Sequence, residues 1–310
     1  MGTSSSSDAG PVADSSETPV WAPLGKHRVF EVTGKDAREF LHRMLTQDVK
    51  GIPVGSGRAA LFLTVRGRVV GDPYVWNLGD RFALTLAPRA AEATIPALER
   101  YVITDDAVFT DATDAWTTGL YLPGAGVASP DPLEAADGSV HRAPRPFGST
   151  PAFAILARPA ATVALERALR LSKAREVEGP SFHASRVEAG APWFDAEIDE
   201  RILPNEAGLD ASISWTKGCY LGQEPVVMAK HRGHPPSRLV RFEVDGREVP
   251  VRDVPLWDGG RDVGRVTTAV RSADGARVRA MGFVRWDLAL SGRTFGLQDG
   301  RVATVTDLLA

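Results

Sequence analysis

Apolar positions change their period along this chain, and the changes mark its elements. Ala37, Phe40, Leu41, Met44 and Leu45 recur at three- and four-residue spacing, which predicts a helix with one buried face. Thr33-Gly34-Lys35-Asp36 ahead of it resembles a capping box. Residues 59–70 read as strand interrupted by a turn at Gly67, and residues 74–76 and 82–86 as strands around Gly79-Asp80. Pro88 suits the first turn of a helix running to about Tyr101, with Pro96 expected to kink or split it. Residues 124–148, rich in Pro, Gly and Asp, read as connecting loop. Residues 160–171 form an amphipathic helix pattern, and Ser181 is placed to cap another helix that ends near Gly190.

Beyond Leu239 the period drops to two. Val240, Phe242 and Val244 alternate with Arg241 and Glu243, as in a half-buried strand. Asp245-Gly246, Gly259-Gly260, Asp274-Gly275 and Asp299-Gly300 are turn signals between such runs. We therefore expect an antiparallel β-barrel or sandwich over residues 238–310 and a mixed α+β region before it. No tandem repeat of fixed period is evident.

The composition is that of a globular protein: 310 residues, 43% hydrophobic, 24% charged, net charge -3. No general basic field exists to hold DNA or RNA. No apolar run approaches the roughly 18 residues of a membrane span. Residues 1–20 lack a basic start and an apolar stretch, and read as a disordered tail rather than a signal peptide. The single cysteine, Cys219, excludes an internal disulfide framework and fits a reducing cytosol. One cysteine also cannot hold an iron–sulfur cluster, which usually takes four thiolates.

That cysteine lies in the most unusual segment, KGCYLGQE (residues 217–224). A helix is predicted to follow, with Glu224 and Pro225 in its first turn, Lys230, His231 and Arg232 in its last, and Gly233 as its cap. The positive helix end and nearby Lys217 both favour a reactive thiolate. From position alone, a loop cysteine packed as a small apolar side chain remains open. His231 and His234 follow Cys219 at no zinc spacing, so no metal is expected. Trp193 and Trp215 flank the motif region and read as core aromatics before ligand platforms.

KGCYLGQE resembles the K-G-C-Y-x-G-Q-E signature of the YgfZ family, and the resemblance continues over nearly the whole chain after residue 20. VTGKDAREFLHRMLTQDV (residues 32–49) is similar to that family's opening helix, and RGRVVGDPYVW (residues 66–76) to its glycine turn and strand. RVEAG (residues 186–190), LPNEAGL (residues 203–209) and GRVTTAV (residues 264–270) resemble motifs shared with the glycine-cleavage T-protein. The resemblance implies an aminomethyltransferase-like α+β fold of three lobes around a central tetrahydrofolate cleft. On that basis the chain divides into a tail over 1–20, two interleaved lobes over 21–237 and a C-terminal antiparallel β-barrel over 238–310. It also implies a cytoplasmic role, as a monomer, in maturing or repairing iron–sulfur proteins, including tRNA-modifying enzymes. Iron–sulfur clients or assembly proteins would then be its partners.

The resemblance carries a pterin-binding glutamate onto Glu188. A carboxylate in the last turn of a helix faces the negative end of the macrodipole, so it gains from a ligand or a cation. From position alone the residue is an exposed glutamate paired with Arg186 or a neighbour. Asp72 takes the place of an aspartate beside the reactive folate nitrogen, although Gly71 stands where the T-protein often has a second aspartate. A turn-forming aspartate before Pro73 is the plainer alternative. Lys217 is assigned to the ligand site with these two, and Cys219 and Asp72 are the candidate reactive groups. Cys219 is expected to be partly exposed and to face the same cleft as Glu188. Two rival readings stay open: a true aminomethyltransferase working with a lipoyl carrier, and an interaction scaffold with a vestigial cleft.

Overall fold

The computed structural model describes residues 18–124, 138–272 and 275–310. Residues 1–17 of the tail, 125–137 of the connecting loop and Asp274 of one turn signal lie outside them. The chain starts one sheet, leaves to build a second, and returns to the first. Val20–Pro23 pairs antiparallel with Thr117–Leu122 and parallel with Arg175–Glu176, so Val20 is already in a strand. Phe153–Ala157 and Val140–Pro144 extend that sheet. The second sheet has the order Gly57–Ala59, Tyr74–Asn77, Phe82–Leu86, Arg28–Thr33, Val108–Asp111.

Five α-helices are described: α1 Ala37–Met44, α2 Pro88–Glu99, α3 Thr162–Leu171, α4 Gly179–Ala189 and α5 Gln223–His231. α1 buries Ala37, Phe40, Leu41 and Met44, the stripe read from the sequence. Its capping box does not form. Thr33 ends a strand, and the Asp36 carboxylate accepts the Asp106 N–H at 2.8 Å instead of one from its own helix. α2 continues through Pro96. The ring removes one helical hydrogen bond, and the burial of Ile95 and Leu98 on either side holds the helix to the core. α4 starts two residues before Ser181, whose hydroxyl donates to the Glu178 carbonyl at 2.8 Å rather than capping.

Six strands close the C-terminal barrel in the order Ser237–Val244, Val278–Arg285, Arg261–Arg271, Val254–Asp258, Thr294–Gly296, Val302–Leu308. Val240, Phe242 and Val244 fill its interior with Val266, Val278, Ala280 and Val305. Leu239, Met281 and Phe283 instead join the core shared with α1 and α2. Barrel strands buried on both faces fasten the barrel to the rest of the molecule.

One buried charge pair completes that joint. Arg186 on α4 is 1% exposed and Glu197 is fully buried. Arg186 Nη1 donates to Glu197 Oε2 at 2.6 Å, and Nη2 donates to Thr268 Oγ1 on the barrel strand Arg261–Arg271 at 2.6 Å. The Thr268 hydroxyl donates to Glu197 Oε1 at 2.6 Å, and the Thr267 hydroxyl donates to the same oxygen at 2.9 Å. Trp193 N–H donates to Oε2 at 3.2 Å. Arg186 Nε donates to His183 Nδ1 at 2.9 Å, which requires a neutral imidazole. Burial first, and the adjacent guanidinium second, hold the His183 pKa below its ordinary value.

A buried ion pair with its lone pairs satisfied becomes a liability once one partner is removed. Glu197→Ala should therefore destabilise the protein by about 3–5 kcal/mol in urea unfolding. A loss under about 1 kcal/mol would show that water repairs the site.

Candidate functional site

A cavity of about 450 Å3 lies where the end of α4, residues 59–61, residues 207–212 and the end of the last barrel strand meet. Two glycines make room for it. Gly190 ends α4 and Gly208 ends a short 3-10 turn, Pro204–Ala207, each at φ +67°. A Cβ on Gly208 would sit 2.6 Å from the Leu309 carbonyl oxygen, and one on Gly190 3.1 Å from Arg241 Nη2. Glycine thus serves both the left-handed turn and the approach of the chain end, where Leu308 and Leu309 wall the cavity.

Asp72, Arg145 and Trp193 converge on this cavity. Asp72 follows the strand Val69–Gly71, and its carboxylate lies 4.0 Å from Arg145 Nη2. The two side chains are 15% and 11% exposed. Burial raises the Asp72 pKa to about 6, against the opposing pull of Arg145. The Arg145 guanidinium sits between two rings, 5.4 Å from the Tyr74 centroid and 5.3 Å from that of Trp193. Trp193 also packs edge-on against Phe182 at 5.0 Å, so it is at once core aromatic and cavity wall. Arg145 was not anticipated. It lies in the stretch read as connecting loop, where its flanking prolines, Pro144 and Pro146, were the available sign of a rigidly held side chain.

The other expected site residues lie elsewhere. Glu188 is outside the cavity lining, although Ala189 and Gly190 belong to it. Its carboxylate pairs with Arg279 of the barrel rather than with Arg186, which supplies the cation its place at a helix C-terminus favours. Its carbonyl accepts from Arg241 Nη2 at 2.8 Å, and Arg241 Nη1 reaches Asp307 at 3.2 Å.

Lys217 was expected at the ligand. It instead closes the end of α1, donating to the carbonyls of His42, Leu45 at 2.6 Å and Gln47 at 3.2 Å. The last carbonyls of a helix have no partners within it, and an ammonium with three donors meets that need. Burial draws the Lys217 pKa down to about 8.

Cys219 is exposed, as expected, but lines a different groove with Tyr220, Gln223, Glu224, Met228 and His231. That groove shares no lining residue with the central cavity. The reason lies in the anchors on either side: Lys217 at α1, and Tyr220 and Val226 in the core, turn the thiol outward. Among the described residues no cluster of three or more His, Cys, Asp or Glu could hold a metal. None of their helices is long and apolar enough to cross a membrane.

The chain is similar to several known proteins. Residues 24–135 match the GCVT N-terminal domain. A tRNA-modifying protein YgfZ of Serratia proteamaculans is 24% identical over 79% of this chain and 78% of its own length. A chloroplastic protein of Arabidopsis thaliana, named as a transferase, is 23% identical over 86% of this chain. A mitochondrial iron–sulfur cluster assembly factor IBA57 homolog of Phaeosphaeria nodorum is 27% identical over 73% of this chain. The chain spans 65% of the length of the chloroplastic relative and 56% of that of the mitochondrial one. Among solved structures, the glycine cleavage system aminomethyltransferase T of Bartonella henselae matches with a TM-score of 0.78. The match covers 94% of this chain and 86% of that one at 18% identity, a likeness of fold. The expected T-protein-like α+β fold with a closed C-terminal barrel is thereby established.

Asp72 gives the site a measurable signature. Its pKa is higher folded than unfolded, so ionising it opposes folding. That cost is absent below about pH 4, grows as pH rises to about 6, and stays constant above. Asp72→Asn should therefore stabilise the protein by about 1–3 kcal/mol at pH 8 and by nearly nothing at pH 4. Urea unfolding at the two pH values tests this, and equal effects at both would place the carboxyl in water.

Proposed function

Starting from a chain that shares the fold of the glycine-cleavage T-protein and is similar to YgfZ proteins, we propose a cytosolic tetrahydrofolate-binding accessory protein for iron–sulfur proteins. The observation that carries this reading is the group at the central cavity: a carboxyl that gains its proton near pH 6, a guanidinium, and an indole ring. A cavity of about 450 Å3 lies within the range that small-molecule sites occupy. The pyrimidine ring of a reduced pterin is flat, with N–H donors along one edge and a carbonyl beside them. Asp72 can accept from such an edge, Arg145 can donate to the carbonyl, and Trp193 offers a face to the ring. Glu188 enters as a second carboxylate next to wall residues Ala189 and Gly190. It would reach the ring by exchanging Arg279 for the ring's donors.

Relatives named for tRNA modification and for iron–sulfur cluster assembly support the accessory role. In this reading Cys219 faces a protein client from its own groove, apart from the folate. The shared fold keeps a transferase as the rival.

Titration with tetrahydrofolate, followed by tryptophan fluorescence, should show saturable binding. Glu188→Ala should weaken it more than tenfold, the loss of a charged bidentate contact. Unchanged affinity in a folded Glu188→Ala protein would leave that carboxylate to Arg279 alone. Methylenetetrahydrofolate formed from an aminomethyl-lipoyl carrier would replace the accessory reading with a transferase. Cys219→Ser should keep the melting temperature and the folate affinity but lower iron–sulfur enzyme activity in cells. Full cellular activity in that variant would remove the thiol from the function.

A further inference from the structure

The central cavity and the Cys219 groove share no lining residue, yet one strip of chain holds the walls of the first and the anchor of the second. The strip is Leu45-Thr46-Gln47, directly after α1. Its side chains brace the cavity. The Gln47 amide nitrogen donates to the carbonyls of Ala59 at 3.3 Å and Ala211 at 3.2 Å. The Thr46 hydroxyl donates to the Ser212 carbonyl at 2.7 Å and accepts from the Leu61 N–H at 2.8 Å. Ala59, Leu61, Ala211 and Ser212 all line the cavity. The backbone of the same strip grips the octapeptide, because the carbonyls of Leu45 and Gln47 accept from the Lys217 ammonium.

That grip is poised between two arrangements. The ammonium meets carbonyls that a helix end leaves without partners, but the burial that lowers its pKa to about 8 opposes keeping a charge there. Trp215, Thr216, Gly218 and Cys219 are exposed. Between the Ser214 N–H, which donates to the Thr46 carbonyl at 3.0 Å, and the buried Tyr220, the segment is therefore fastened at Lys217. Held, the ammonium is turned to α1 and engaged by three carbonyls. Released, it stands in water two residues from the thiol. An ammonium near a thiol favours the thiolate, the form that reacts.

We infer that a ligand in the central cavity controls the reactivity of Cys219 through this strip. Contacts that fix the braced walls keep Thr46 and Gln47 in place, Lys217 on α1 and the thiol quiet. Loss of the ligand shifts the balance towards release and arms the thiol. The inference rests on the folate reading above, which supplies the ligand. Coupling between distant sites requires an element with two arrangements that both sites bias, and Lys217 is that element.

Alkylation of Cys219 by iodoacetamide, followed by mass spectrometry of the full chain, tests this at about pH 7.5, a unit below the ordinary thiol value. Tetrahydrofolate is the ligand, and tryptophan fluorescence checks its binding. Saturation should slow alkylation about fivefold, the lower end of couplings between sites. Lys217→Met should make alkylation slow with and without the folate, because no ammonium remains to arm the thiol. Gln47→Ala should make it fast in both conditions, because the brace is lost. A general loosening of the fold would instead speed alkylation in both variants, and that result would overturn the relay. Equal rates with and without bound tetrahydrofolate in the unaltered protein would overturn the coupling while leaving the folate reading standing. Slowing that survives Lys217→Met would mean that the folate covers the thiol directly, and would overturn the relay. Absence of tetrahydrofolate binding would sink both readings.

Discussion

The pairing of Arg186 with Glu197 is the constraint on which the rest of the molecule depends. Both groups are removed from water, so each is tolerated only while the other is held in place. Holding them requires α4, the Trp193 backbone and two threonines of a barrel strand to meet at one point. The pair therefore sets where the barrel sits relative to the sheets. It also sets the end of α4, and hence Gly190, the wall residues after it, and the indole of Trp193. A hydrophobic joint of the same volume could hold as firmly, but it would fix orientation less sharply, because charge pairs are directional.

The cavity is a consequence of that joint. Gly190 and Gly208 bring two helical turns to a stop in the left-handed region and admit the last residues of the chain between them. What remains is a space whose walls are polar and apolar in about equal measure. Two of its polar groups, Asp72 and Arg145, sit too far apart to hydrogen-bond each other and are too buried to be well solvated. Their mutual dissatisfaction is the chemistry of the site. It leaves the carboxyl with a pKa raised to about 6 and one guanidinium in need of acceptors.

The octapeptide around Cys219 has a second role that its chemistry conceals. Gly67 and Gly222, at φ +75° each, bring the turn of residues 64–68 against the start of α5. A Cβ on Gly67 would lie 3.1 Å from Pro225, and one on Gly222 would strike the Thr64 carbonyl. With Lys217 closing α1 and Tyr220 in the core, most of the segment is a clamp between three elements. The thiol is what the clamp presents outward.

Much of this was determined by the sequence alone. The period-two run beyond residue 239 specified strands, and the stripe from Ala37 to Met44 specified a buried helix face, because local spacing decides which side chains share a face. The unusual motif announced the fold family. Partners distant in sequence were another matter. Asp36 caps nothing because Asp106 lies 70 residues away and offers its N–H. Glu188 takes Arg279, 91 residues on, and Lys217 takes carbonyls 170 to 175 residues before it. Asp72 acquires its raised pKa from burial, which no neighbour in sequence could signal. A charged side chain can pair with any opposite group that the fold brings within a few ångströms, so its residue type states a need without naming what meets it. Only the tertiary structure decided which carboxylate went to a barrel arginine, which lysine became a cap, and which arginine was left facing the cavity.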